Sequence, residues 1–169
     1  TVKKLFDGRN GPPPSQVVVN ADDAWTPRLM REIPAATRVL RFGIDSSEAE
    51  VRAENIVCDA QGTSFTLVAE DQRHEVNSPL LGRFNVSNLL AAFALGRTQG
   101  LEWFAMIDRV AQAVDVRGRM ESIDEGQDFS VVVDYMHTVE AYRGGLKTLR
   151  EVTQGKLIVV YGCGGDRNP

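Results

Sequence analysis

Near its end the chain has an apolar run that leads directly into glycines, and this pattern restricts the possible folds more than any other in the sequence. Residues 156–160 (KLIVV) have the composition of a buried strand, and residues 161–169 (YGCGGDRNP) follow without a break. In open α/β sheets ligands lie beyond the carboxyl ends of the strands, and glycine lets the backbone approach a ligand closely. The pattern therefore predicts an α/β fold with a ligand loop here, although a tight turn would also account for the glycines. A domain should not end in such a loop, so we expect the chain to be part of a longer protein.

Charge and composition exclude several classes of protein. The 169 residues carry a formal net charge of -4, and the pI is about 5.2. Without a basic stripe to neutralise phosphates, we expect no nucleic-acid partner. The longest apolar run is far shorter than a membrane span, and no signal peptide is visible, so we expect no membrane partner. Cys58 and Cys163 have neither zinc-site nor redox-pair spacing, which favours a cytoplasmic setting.

The first half of the chain alternates strand and helix signals and then changes to a run of short strands. Thr26 and Pro27 predict a helix start, with Thr26 as the N-cap, and this helix should end near Pro34. It lies between two β-branched segments, an order typical of a parallel α/β unit. Three further segments, separated by turn signals, predict an antiparallel meander. The predicted strands are residues 16–20, 39–43, 51–58, 64–69 and 73–77.

The second half predicts two helices, a linker and one more α/β unit. The helices cover residues 87–99 and 102–114, with Gly100 ending the first. The glycine-containing segment 116–119 has the polar composition of a linker. A predicted βαβ unit with a right-handed crossover follows. Its elements are a buried strand at 129–133, a helix at 139–152 and a strand at 156–161.

Two asparagines begin the helix that follows the meander. Asn85 and Asn88 are three residues apart, so they can project from one helix face. A carboxamide both donates and accepts, and can therefore pair with the N6/N7 edge of adenine. The alternative is structural, with Asn85 capping the helix and Asn88 solvated.

Charged side chains near the linker and the last strands suit phosphate, ribose or carboxylate groups. Arg119 follows a glycine and could reach a phosphate with its fork of donors. Asp134 follows a strand and could bind ribose hydroxyls, with His137 at the same rim. Arg167 and the loop amides before it would suit a carboxylate or phosphate. The simpler alternatives are a solvated linker charge for Arg119 and, around Asp134, a Thr138 helix cap with a surface histidine.

A metal site has little support in the sequence. Asn20, Asp22 and Asp23 could hold a cation, but turn and capping roles are favoured for these residue types. His74 stands alone in the meander, and a histidine without partner spacing is weak evidence for a metal. We therefore assign no metal ligand and no catalytic residue.

Four segments, in this order and spacing, resemble successive motifs of the Mur ligases. They are LGRFNVSNLLAAFAL, RGRMESI, VVVDYMHTVEAY and LIVVYGCGGDRNP, and VVVNADD resembles a further one. Each motif is moderately specific and their ordered combination is strongly so. The resemblance covers nearly the whole chain.

The resemblance implies a fold and an activity. Residues 1–115 would be the latter part of a central ATP-binding domain, a parallel sheet with a small antiparallel meander. Residues 116–169 would be the hinge and first βαβ unit of a Rossmann-like, amino-acid-binding domain. The family member would add a diamino acid, diaminopimelate or lysine, to a UDP-sugar dipeptide in cell-wall synthesis, using ATP and Mg²⁺. The chain by itself would be inactive, because part of the ATP site and the whole UDP-sugar site would be absent.

The resemblance also implies roles for individual residues. Asn85 and Asn88 match the adenine-side asparagines, and Arg119 matches the hinge arginine that reaches the nucleotide phosphates. Asp134 matches the ribose-binding aspartate, with His137 beside it. Arg167 matches the arginine that meets the carboxylate of the added amino acid.

The sequence departs from the family pattern at several points. It contains no G-x-x-G-K-S/T loop, and neither Lys3 nor Lys4 falls in the register of the family's carbamylated lysine. Met136 and Val139 stand where the family usually has alanine and proline. Two alternatives therefore stay open at this point. One is a related folylpolyglutamate- or cyanophycin-type ligase, and the other is a noncatalytic nucleotide-binding domain.

Overall fold

A computed structural model describes residues 11–59, 61–113 and 116–162 of the chain. The elements alternate strand and helix at first, then form a meander, two helices and a smaller C-terminal unit. None of the described helices has both the length and the apolar character needed to cross a bilayer. The strands are β1 Gln16–Asn20, β2 Arg38–Gly43, β3 Val51–Asp59, β4 Gly62–Ala69, β5 Gln72–Ser78, β6 Glu121–Ile123 and β7 Val131–Val133; the helices are α1 Thr26–Met30, α2 Arg83–Thr98, α3 Trp103–Ala111 and α4 Val139–Val152.

The larger sheet has five strands in the order β1-β2-β3-β4-β5. Strands β1, β2 and β3 pair in parallel, whereas β3, β4 and β5 form an antiparallel meander. The predicted α/β fold, a parallel sheet with a meander attached, is confirmed. The β4–β5 turn has only two residues, Glu70 and Asp71, with φ of 49° and 59°. Positive φ at both positions is the geometry that matches the twist of a tight hairpin.

Helix α2 covers one face of this sheet and supplies much of the core. Its buried side chains include Leu90 and Phe93, which belong to one cluster with Phe65 and Leu67 of β4. Helix α3 adds Trp103, whose ring meets Phe93 edge-on at a centroid distance of 6.5 Å. Burial of these apolar side chains is the main source of stability for this unit.

The starts of the first two helices differ from the prediction. Helix α1 begins with Thr26 as its first residue and ends at Met30, and the N-cap is Trp25. Thr26 is therefore not the cap, because its hydroxyl donates to the Asn20 carbonyl instead. Helix α2 starts at Arg83, four residues earlier than predicted. The N-cap is Gly82, with φ of 89°. Glycine has no side chain that could cap the helix, so the sequence does not mark this start.

The predicted βαβ unit is wrong within the described residues. Helix α4 has the predicted bounds, but β7 is short, only half-buried, and pairs antiparallel with β6. Residues 156–161 form no strand, and Ile158 and Val160 are 79% and 95% exposed. A strand exists only where a neighbour accepts and donates its ladder hydrogen bonds, and no described segment does so for these residues.

The loop after β1 is held by one carboxylate. Asp22 accepts hydrogen bonds from the backbone N–H groups of Ile44, Asp45 and Ser46, at 2.6, 3.1 and 2.7 Å. The Asn20 side chain accepts from the Asp22 amide at 2.9 Å. These are the turn roles that the residue types favoured. Within the described ranges, no group of three or more His, Cys, Asp or Glu side chains could hold a metal ion.

The β4–β5 turn is tied to α2 by an ion pair that should make stability depend on pH. Arg97 donates to both Glu70 carboxylate oxygens, and the Trp103 indole donates to one of them. The Arg97 hydrogen bonds, helped by the one from Trp103, lower the pKa of Glu70. A lowered folded-state pKa stabilises the fold above the unfolded glutamate pKa of about 4.3. That stabilisation is lost as pH falls through the folded value.

Replacing Glu70 with glutamine should remove this contribution. Because the Glu70 side chain is 46% exposed, we expect a loss of at most about 1 kcal/mol at neutral pH. The loss should disappear in acid. Urea midpoints of the full-length protein, taken as a function of pH, measure it. Glu102→Gln is the matched control, since Glu102 meets the same arginine at 3.6 Å but is 79% exposed. An equal loss of stability in Glu70→Gln and Glu102→Gln would contradict the stabilising role of the Glu70–Arg97 ion pair.

Candidate functional site

A cavity of about 670 Å³ lies where the first turn of α2 faces the C-terminal unit. Its wall combines apolar side chains with a few polar groups, the usual make-up of a small-molecule site. Four of the six candidate residues line it, although they come from three separate segments of the chain. These four are Asn85, Asn88, Arg119 and Asp134.

The two asparagines have different surroundings. Asn85 is buried, and its side-chain amide donates to the Leu81 carbonyl at 2.9 Å, one turn back. Its carboxamide oxygen accepts from Nδ2 of Asn88 at 3.1 Å. In the described part of the chain, the Asn88 carboxamide oxygen has no hydrogen bond. Asn85 thus positions Asn88, and Asn88 presents an acceptor and a second N–H to the cavity.

Arg119 lies in a tight turn that joins the two halves of the structure. Its guanidinium lies over the Tyr135 ring, 5.4 Å from the centroid, in a cation–π contact. The backbone of the turn is fixed by Gly118, whose carbonyl accepts from the Tyr135 amide at 2.8 Å. Gly118 has φ of 67°, a conformation that glycine adopts without strain. Arg119 is exposed, but it is held against Tyr135 at the cavity wall.

Asp134 connects the end of β7 to the same turn. One carboxylate oxygen accepts the Met120 backbone N–H at 2.8 Å. Met120 is buried and has φ of 51°, an uncommon conformation for a residue with a side chain. The Asp134 carboxylate thus holds this strained turn while it also faces the cavity. Nothing in the sequence signals this second role.

The two remaining candidates do not line the cavity in the described structure. His137 is exposed; its Nδ1 lies 3.0 Å from the Tyr135 carbonyl and its ring is 5.0 Å from that of Tyr135. Its described contacts are thus with Tyr135, which does not line the cavity either. The hydroxyl of Thr138 accepts from the Ala141 amide and caps α4, as the structural alternative expected. Arg167 lies outside the described residues.

Sequence reasoning missed several residues of the cavity wall. They include Phe84, Met136, Glu140, Gly144 and Thr148. One available signal was the Gly144-Gly145 pair inside an otherwise amphipathic helix, because glycine disfavours a helix interior. A second was the aromatic Phe84 beside the two asparagines.

Comparison with known proteins identifies the family. Residues 2–96, more than half of the chain, match the model of the Mur ligase middle domain. The chain belongs to the Mur ligase family. Residues 118–169 match a second model, the Mur ligase glutamate ligase domain.

Individual Mur ligases show how much of such a protein this chain represents. It is 41% identical to the UDP-N-acetylmuramoyl-L-alanyl-D-glutamate–2,6-diaminopimelate ligase of Solibacter usitatus, over 97% of the chain and 33% of that protein. A solved structure of a ligase with that name is 34% identical, with a TM-score of 0.71, over 91% of the chain and 32% of the other. The chain thus spans about a third of the relatives it matches.

A more distant Mur ligase shares the fold alone. The structure of a Thermotoga maritima ligase in complex with ADP has a TM-score of 0.66 at 20% identity. The match covers 84% of this chain and 32% of the Thermotoga maritima chain.

Proposed function

We propose that this chain is part of an ATP-dependent ligase. The full-length protein adds a diamino acid, 2,6-diaminopimelate, to UDP-N-acetylmuramoyl-L-alanyl-D-glutamate in the cytoplasm, for peptidoglycan synthesis. The observation that carries the proposal is the cavity itself. It gathers Asn85, Asn88, Arg119 and Asp134, the residues to which the sequence resemblance gives nucleotide-binding roles. The names of the diaminopimelate ligases, at about 40% identity over nearly the whole chain, support the choice of amino acid.

The residues of the cavity have distinct tasks in this proposal. Asn88 reads the edge of adenine, since it alone of the two asparagines has an acceptor and a second donor free. Asp134 accepts a hydrogen bond from a ribose hydroxyl, and Arg119 reaches the phosphates with its guanidinium fork. Arg167 meets the carboxylate of the incoming amino acid. His137 supports the site from the rim, through Tyr135.

The reaction has two steps. The substrate carboxylate attacks the γ-phosphorus of ATP, which forms an acyl phosphate and releases ADP. The amino group of the incoming amino acid then attacks the acyl carbon, and phosphate leaves. The described residues contribute by holding the nucleotide, because positioning accounts for much of phosphoryl-transfer catalysis. The full-length ligase would use Mg²⁺ together with ATP, and the described residues include no group of three or more His, Cys, Asp or Glu side chains that could hold the ion.

We also propose a division at the turn around Gly118. Residues 1–115 belong to the central ATP-binding domain and residues 116–169 to the amino-acid-binding domain. The separate hydrogen-bonded sheets on the two sides of this turn support the division. The nucleotide would then bind between two domains, a frequent position for small-molecule sites.

An assay of the full-length protein tests the proposed function. The protein is incubated with the UDP-sugar dipeptide, ATP and either diaminopimelate or lysine, and in a parallel reaction with a folate, glutamate and ATP; the products are identified by mass spectrometry. We expect a UDP-sugar tripeptide that contains diaminopimelate, with one ADP released per product. Glutamate addition to a folate would instead indicate the related ligase. A protein that binds nucleotide without turnover would be a noncatalytic domain, and either result would overturn the proposal.

The proposed contact between Asn88 and adenine predicts the effect of removing this one side chain. Asn88→Ala in the full-length protein should raise the KM for ATP about tenfold, the expected cost of one or two lost hydrogen bonds to a base edge. The thermal midpoint should fall only slightly, because Asn88 is exposed and the one bond lost within the protein is the one that its Nδ2 donates to the Asn85 oxygen. Ser87→Ala, one residue earlier and outside the cavity wall, is the control. An unchanged KM in Asn88→Ala would remove Asn88 from the site.

A further inference from the structure

The turn that carries Arg119 is held by side chains as well as by backbone groups. The Gly118 N–H donates to Oε2 of Glu121 at 2.8 Å, and the Met120 N–H donates to Oδ2 of Asp134 at 2.8 Å. The N–H between them donates to a backbone carbonyl of the same turn at 2.9 Å. Two of the three consecutive N–H groups around Arg119 are therefore held by carboxylates. A charged acceptor makes a stronger bond to an N–H group than a neutral one does.

The two carboxylates belong to the open end of the β6–β7 hairpin. Glu121 is the first residue of β6 and pairs with Val133, the last residue of β7. Asp134 follows Val133 directly. The turn is thus fastened to the end of this hairpin at two points, one beside each strand. Asp134 lines the cavity, whereas Glu121 is not among the residues of the cavity wall.

The backbone of this turn has an uncommon shape on both sides of Arg119. Gly118 has φ of 67°, and Met120 has φ of 51°. Positive φ is unfavourable for a residue with a side chain, so contacts from outside the turn must hold this conformation. The Arg119 side chain is exposed and contacts the Tyr135 ring. The direction of its guanidinium therefore depends on the shape of the backbone beneath it.

We propose that Glu121 is a positioning residue for the ATP phosphates and that it acts through Arg119. This inference rests on the proposed function, in which Arg119 reaches the phosphates. By accepting the Gly118 N–H, Glu121 fixes the turn in the shape that keeps the guanidinium at the cavity wall. Glu121 does not itself bind the nucleotide, because it lies outside the cavity wall and a carboxylate repels phosphate. Its effect on ATP is therefore indirect, unlike that of Asp134.

Removing and then restoring the acceptor tests this role in the full-length protein. Glu121→Ala should lower kcat/KM for ATP about fivefold, the effect of one lost hydrogen bond. Glu121→Leu, which fills the space without an acceptor, should give the same loss. Glu121→Gln keeps a side-chain oxygen for the Gly118 N–H and should recover most of the activity. Wild-type kinetics in both Glu121→Ala and Glu121→Leu, or a Glu121→Gln variant as impaired as they are, would overturn the proposal.

Glu125 provides the matched control, since it is an exposed carboxylate of the same hairpin. Glu125→Ala should leave kcat/KM for ATP unchanged. A loss equal to that of Glu121→Ala would mean that the charge of the hairpin, and not the bond to Gly118, affects ATP. That result would also overturn the positioning role.

Two inhibitors that carry different parts of ATP separate the positioning of Arg119 from a general loss of structure. Inorganic tripolyphosphate has only the phosphates, and adenosine has only the base and ribose. In Glu121→Ala, the inhibition constant of tripolyphosphate should rise about fivefold, whereas that of adenosine should keep its wild-type value. Equal weakening of both inhibitors would mean that the whole cavity has changed, and the positioning role would be wrong.

A double-mutant cycle shows whether the effect passes through Arg119. If Glu121 acts only by directing this guanidinium, Glu121→Ala should have little effect once Arg119 has been replaced by alanine. The double variant should then match Arg119→Ala in kcat/KM for ATP to within about twofold. A full additional loss in the double variant would show that Glu121 acts independently of Arg119 and would overturn the inference.

The outcomes separate this inference from the function beneath it. Turnover of ATP that falls in Arg119→Ala but is unaffected in Glu121→Ala and Glu121→Leu would overturn the role of Glu121 alone. A wild-type protein without any ATP-dependent turnover would overturn the proposed function and the role of Glu121 together.

Discussion

Asp134→Ala in the full-length protein is expected to weaken the use of ATP more than any other single change at the cavity. The variant loses a charge-assisted hydrogen bond to the ribose, which corresponds to about 1–3 kcal/mol, or roughly a 5- to 150-fold fall in kcat/KM for ATP. It also leaves the Met120 amide without its acceptor. Initial rates of ADP release over a range of ATP concentrations measure the effect.

Two further variants separate the two roles of Asp134. Asp134→Asn retains a side-chain oxygen that can accept the Met120 N–H, so the turn should keep its shape while the charge is lost. We expect the kcat/KM of Asp134→Asn for ATP to lie between the values of the wild type and of Asp134→Ala. Asp128→Ala is the control: it removes an exposed carboxylate of the same C-terminal unit and should leave kcat/KM for ATP unchanged. Wild-type kinetics in Asp134→Ala would remove this residue from the nucleotide site.

Phe93→Ala is expected to have the largest effect on stability. Phe93 is 1% exposed, at the centre of the cluster that joins α2, α3 and the sheet. Deleting a buried phenyl ring typically lowers the free energy of unfolding by about 3–5 kcal/mol, because the neighbours fill the cavity only partly. Urea unfolding of the full-length protein, followed by tryptophan fluorescence, reports on this unit through Trp103.

Phe104 provides the matched control for that prediction. It follows Trp103 in α3 and is 82% exposed. Phe104→Ala should change the free energy of unfolding by no more than about 0.5 kcal/mol. Similar losses in both variants would mean that α2 does not cover the core as described.

Local signals account for the parts of the fold that the sequence predicted well. Strand β1 has a run of three valines, and α4 has an apolar stripe together with the Thr138 cap, so both elements have the expected bounds. Residues 156–161 are equally apolar but form no strand, because a strand depends on a partner that sequence pattern alone does not supply. The start of α2 was predicted four residues too late, because its N-cap is Gly82 in a positive-φ conformation and not a Ser, Thr, Asp or Asn side chain.

The candidate site divides in the same way. Asn85, Asn88, Arg119 and Asp134 could be selected from motif order, and the structure brings them to one cavity. The different roles of the two asparagines could not be predicted. Asn85 holds Asn88 in place because its own amide donates to the Leu81 carbonyl one turn back, and only the structure shows that this carbonyl is within reach. The bond between Asp134 and the Met120 amide was equally hidden, since it depends on a positive φ at a methionine. Contacts of this kind arise only when segments distant in sequence meet.

A crystal structure of the full-length protein with ADP would show whether the nucleotide binds in this cavity. The cavity between α2 and the C-terminal unit should hold the nucleotide. We predict the adenine edge within hydrogen-bond distance of Asn88 and a ribose hydroxyl within hydrogen-bond distance of Asp134. The phosphates should lie on the side of Arg119. ADP bound elsewhere, with this cavity filled by water, would contradict the assignment of the nucleotide site.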